Sequence, residues 1–65
     1  MKQVVTQVGN TDVSTVKTTD RIGPLTYETC LFYGEKSEVV QHYDTEVEAL
    51  HGHIFWVNKL LEEPV

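Results

Sequence analysis

The sequence predicts an α+β fold: a small antiparallel sheet of about four strands in two hairpins, followed by one C-terminal helix packed on one face. Three observations carry this. Gln3 to Val8 is rich in β-branched side chains. Leu25 to Tyr33 alternates between two faces with period two. From Thr45 to Glu62, apolar residues recur in steps of three and four.

In chain order, Gln3–Val8 reads as a strand and Gly9-Asn10-Thr11-Asp12 as a turn. Asp12 to Thr18 reads as a second, more polar strand, which makes a hairpin. An arm that orders only against a partner is the alternative for residues 1–24. Thr19 to Pro24 is a connection, with Pro24 placed to open the next strand at its edge.

In the second hairpin, residues 25–43, Leu25, Tyr27, Thr29, Leu31 and Tyr33 share the face expected to meet the helix. Thr26, Glu28, Cys30 and Phe32 share the other. Gly34 to Ser37 makes the turn. Glu38 to Tyr43 returns, with Val39, Gln41 and Tyr43 on one face.

The helix, 45–62, opens on Thr45-Glu46-Val47-Glu48, a capping box. The Thr45 hydroxyl is expected to accept from the Glu48 amide, and the Glu48 carboxylate to reach back to the Thr45 amide. Pro64 marks its stop. Val47, Leu50, Ile54, Val57 and Leu61 form one apolar stripe, expected to face the sheet. Ala49, His53, Trp56 and Leu60 form a second stripe beside it, with Phe55 outside both. The two together are wider than one packed layer needs, so the helix is expected to meet two surfaces. The candidate protein interface is therefore Ala49, Gly52, His53, Phe55, Trp56 and Leu60. Gly52 is open to two readings: close approach of another backbone, or a weak spot costing roughly 1 kcal/mol against alanine.

Sixty-five residues make a single domain with a thin core. One cysteine excludes an intrachain disulfide, which leaves oligomerisation as the stabilising device. The expected partner is the chain itself, as a homodimer or higher oligomer.

The formal charge is −5. Lys2, Lys17 and Arg21 against Asp12 and Asp20 leave residues 1–24 slightly basic. Lys36 and Lys59 face eight carboxylates in residues 25–65. Without clustered Lys and Arg, direct nucleic-acid binding is not expected. No apolar run approaches the ~20 residues of a membrane span. A soluble cytoplasmic protein that is not secreted is the expectation.

No catalytic, cofactor-binding or metal site is expected. Cys30 lacks a local base and orienting group, so it reads as a small core hydrophobe. His51 and His53 are two residues apart on a helix and point to nearly opposite sides, whereas helical zinc ligands sit four apart. The glutamates fit capping and solvation.

Tyr27-Glu28-Thr29, then Leu31-Phe32, a polar turn, and Tyr43-Asp44-Thr45-Glu46-Val47-Glu48-Ala49 with Gly52-His53 in the helix, resemble small proteins of tailed phages and prophages. The resemblance covers a little over half the chain. It implies a viral source, a setting in the host cytoplasm or in a virion, a host or phage protein as a further partner, and no particular activity. The functional expectation is a non-enzymatic phage-type accessory protein acting by protein–protein contact. The alternatives are an acidic inhibitor of a host nucleic-acid enzyme or defence protein, and a minor virion or tail-assembly component.

Overall fold

A computed structural model describes residues 3–18 and 26–62. Four strands, β1 (Gln3–Val8), β2 (Thr11–Thr18), β3 (Thr26–Tyr33) and β4 (Lys36–Tyr43), precede one helix, α1 (Glu46–Glu62). The strands form one antiparallel meander in the order β1-β2-β3-β4. This is the expected α+β arrangement. The first hairpin lies in the same sheet as the second, so the arm alternative is not the arrangement seen. The expectations placed on Thr19 to Pro24, on Leu25 and on Pro64 lie outside the described residues.

Both hairpins close with two-residue loops, tighter than the sequence suggested. Val8 pairs with Thr11 across Gly9-Asn10, and Tyr33 with Lys36 across Gly34-Glu35. Each loop opens on a glycine with φ near +60°, at +60° for Gly9 and +63° for Gly34. Glycine first, with positive φ, is the type II′ pattern whose twist suits paired strands.

Residues directly opposite one another share a face of the sheet. Val4, Thr6, Val8, Thr11, Val13, Thr15, Tyr27, Thr29 and Leu31 therefore line the helix side. The expected facing of β3 holds. In β4 it holds for Gln41 and Tyr43 but not for Val39. Thr29 pairs with Gln41 and Cys30 with Val39, which leaves Val40 as an extra residue. This β-bulge shifts the alternation, so Val39 joins Cys30 and Phe32 on the far side. That side carries exposed Val5, Phe32 and Val39.

The helix is capped as predicted on one side of the box: the Glu48 amide donates to Thr45 Oγ1 at 3.2 Å. The other half differs. The Glu48 carboxylate accepts the Thr45 hydroxyl at 3.1 Å, giving the hydroxyl a second bond.

The stripe expected to face the sheet is turned away from it. Val47 is 63% exposed, Leu50 39%, Ile54 57% and Leu61 66%, with Val57 half-buried at the boundary. The stripe assigned to a partner is the one seated on the sheet: Ala49 and His53 are buried, and Trp56 and Leu60 half-buried. The sheet supplies the reason. Its helix-side surface sets buried Thr15, Thr29 and the Tyr43 ring beside Val13 and Leu31. Such a surface takes small residues that permit close approach and a polar ring that satisfies hydroxyls, not the bulkiest aliphatic row.

Gly52 is part of this seat. A Cβ there would overlap the Tyr43 ring and hydroxyl, so the close approach is by a side chain rather than by a backbone. Gly52→Ala should destabilise the fold by about 1–3 kcal/mol through overpacking. This is against the ~1 kcal/mol that alanine's helix propensity alone adds. Urea unfolding of the two proteins measures it.

Candidate functional site

The buried layer between helix and sheet is unusually polar. Val13, Leu31, Tyr43 and Ala49 are its buried apolar residues, against Thr15, Thr29 and His53. The polar groups form one connected chain across the sheet. Thr6 Oγ1 lies 2.9 Å from His53 Nε2. His53 Nδ1 lies 2.7 Å from Thr15 Oγ1. Thr15 Oγ1 lies 2.7 Å from Thr29 Oγ1, which lies 2.9 Å from the Tyr43 hydroxyl. Tyr43 then meets Gln41 Oε1 at 3.3 Å, and Trp56 Nε1 meets the same oxygen at 2.9 Å. The chain begins and ends in half-exposed or exposed groups and passes through all four strands.

Its direction follows from one fixed donor. An indole N–H can only donate, so Gln41 turns its amide oxygen toward Trp56. The Tyr43 hydroxyl must then donate to that oxygen. With its single proton spent there, Tyr43 accepts from Thr29, and Thr29 accepts from Thr15. Thr15 accepts in turn from His53 Nδ1–H, and His53 Nε2 accepts from Thr6. His53 is thereby the neutral Nδ1–H tautomer. No buried side-chain nitrogen or oxygen among the described residues lacks a partner. A fully satisfied network of this kind fixes one register and one rotamer set.

His53 is 5% exposed, and burial lowers its pKa below the ordinary 6.5. Its two ring nitrogens face neutral threonine hydroxyls, so protonation meets no compensating carboxylate there. The ring ties the helix to β1 and β2.

The remaining titratable candidates stay apart. His51 is exposed on the outer surface of the helix, while His53 is buried beneath it. His42 pairs with Glu28 at 3.2 Å on the far side of the sheet, where solvent weakens the pair. Cys30 is free and half-buried. Among the described residues no group of three or more His, Cys, Asp or Glu is gathered to hold a metal ion. Among the same residues no helix is long and apolar enough to cross a membrane.

Of the six residues assigned to a protein interface, Ala49, Gly52 and His53 are used against the chain's own sheet. Trp56 is tied to β4 through Gln41, with Lys59 Nζ 5.9 Å from its ring centre. Leu60 is half-buried. Phe55 alone stands out, 56% exposed, meeting Trp56 edge to face at 5.5 Å. It borders a shallow groove with Gln41, Tyr43, Glu48, His51 and Gly52. The threonine–histidine–tyrosine chain escaped sequence reasoning, since its members are scattered over four strands and a helix. The signal present was a histidine in an apolar stripe opposite strands with threonine on their inner positions. Comparison with protein-family models, curated proteins and solved structures finds no match.

Two outcomes are expected. Folded His53 resists protonation, so the unfolded chain takes up more protons as pH falls below about 6.5. Stability is then full above that pH and declines below it, by at most ~1.4 kcal/mol per pH unit from this group. The decline should persist in His51→Gln. Thr15→Val should cost about 1–3 kcal/mol by stranding the His53 Nδ1–H, more than Thr6→Val at the half-exposed end, where water can replace the hydroxyl. Chemical denaturation across pH tests both, and ¹⁵N shifts of the His53 ring report the tautomer.

Proposed function

We propose that this chain is a non-enzymatic accessory protein of phage type that works by contact with other polypeptides, first with a second copy of itself. The observation that carries the reading is the outer stripe of α1. Four aliphatic side chains, Val47, Leu50, Ile54 and Leu61, remain 39–66% exposed along one side of a single helix. Contiguous apolar surface of that kind on a small protein marks a binding face. The thin, polar core supports it further, since a chain of this size gains stability by covering such a face. The non-enzymatic part rests on how the reactive groups are occupied. His53 holds the helix, and Cys30 and His42 lie on the opposite side of the sheet from it. The resemblance to small phage proteins supports the accessory role and a host-cytoplasmic or virion setting.

Sedimentation equilibrium at tens of micromolar should return a multiple of the 7.4 kDa chain mass. A clean monomer at that concentration overturns the self-association.

A further inference from the structure

The far face of the sheet, the Phe55 groove and the free cysteine carry no indication of what they meet. The flank of the molecule bearing β1 does. This inference rests on the self-association just proposed and specifies its geometry.

Of the two outer strands, β4 is guarded against further pairing and β1 is not. β4 carries Lys36, Glu38 and the bulge at Val40. Charges and bulges are the usual protection of a sheet edge. β1, Gln-Val-Val-Thr-Gln-Val, has no charge, proline, glycine or bulge along its six residues. It therefore offers one uncharged row of backbone donors and acceptors on its open side.

The exposed helix stripe lies on the same flank. Gly52 and Trp56 meet Tyr43 and Gln41 of β4, and His53 meets Thr15 of β2 and Thr6 of β1. Moving around the helix at about 100° per residue in that same sense, the next side chains are Glu46, Val57, Leu50, Leu61 and Ile54. The stripe thus faces outward on the β1 side. Glu48, Lys59 and Glu62 fall on the opposite flank, and Glu46 is the charged residue nearest the stripe. In a chain of net charge −5, this flank is the one that two copies can bring together with least repulsion.

We propose that two copies join β1 to β1 in antiparallel pairing, making one continuous eight-stranded sheet, with the two helix stripes meeting above the junction. A two-fold axis perpendicular to the sheet is the operation that pairs β1 with itself antiparallel. The same axis keeps both helices on one face and sets them antiparallel. The interface is isologous, each copy giving the same strand and the same stripe. Val47, Leu50, Ile54, Val57 and Leu61 follow the alternating three–four spacing of a helix–helix seam. Edge hydrogen bonds supply register, and the stripe supplies buried apolar area.

The test compares the wild-type chain with Val5→Lys, on the open edge, and Ile54→Glu, in the stripe, by sedimentation equilibrium, with circular dichroism to verify the fold. Backbone amide exchange of β1 is measured on the wild type, which keeps the test open should either variant fail to fold. A wild-type dimer with β1 amides protected along the whole strand is expected. Val5→Lys should weaken the dimer on the order of tenfold by setting like charges across the junction. Ile54→Glu should weaken it on the order of a hundredfold by burying an unpaired carboxylate. A wild-type monomer overturns both this geometry and the self-association beneath it. A wild-type dimer in which alternate β1 amides exchange freely, or which Val5→Lys leaves intact, overturns the edge pairing while self-association stands. A dimer weakened by Val5→Lys but not by Ile54→Glu overturns the shared seam.

Discussion

The helix is held to its sheet by a one-way run of hydrogen bonds, and most other features follow from that seat. Thr15 and Thr29 are fully buried, and each gives its single proton onward. His53 must sit over the junction of β1 and β2, while Trp56 reaches β4. A helix anchored at two separated strands has little freedom to rotate. Gly52 then has no room for a side chain, because the Tyr43 ring that continues the run occupies that space. Apolar packing alone is tolerant of small rotations; a chain of donors with fixed sense is not.

That arrangement explains why the helix presents its greasier row outward. Satisfied hydroxyls contribute little net stability each, but leaving one unmet in a dry layer costs far more. Where the sheet's inner face buries Thr15, Thr29 and Tyr43 beside Val13 and Leu31, the matching helix row must include small residues and a ring that can meet the hydroxyls. Ala49, Gly52 and His53 meet that demand and Val47, Leu50 and Ile54 do not. The aliphatic row is left exposed on the outer side of the helix.

Much of the architecture was legible in the sequence. The strand at Gln3–Val8, the alternation of β3, the helix and the Thr45 cap all appear where residue periods and capping chemistry put them. The facing of the helix was not legible. Period 3.6 identifies stripes, but choosing between two adjacent ones needs knowledge of what they meet, and the strands' inner positions mix buried threonine with Val13 and Leu31. The bulge at Val40 was equally hidden, since Glu38 to Tyr43 reads as regular alternation until its partner strand is known. For the same reason Ala49, Gly52 and His53, among the candidate interface residues, lie against the chain's own sheet. Phe55, lying outside both stripes on the sequence pattern, is the one whose exposure was anticipated.

The bulge that interrupts β4 has a bearing on how far assembly can run. A sheet with two receptive borders is a monomer for a filament, because each addition exposes a fresh border like the last. With β4 kinked and charged, the proposed joining through β1 would consume the sole receptive border of each copy and would halt growth at two. In that proposal one extra residue near the middle of a strand is what would separate a finite pair from a fibre.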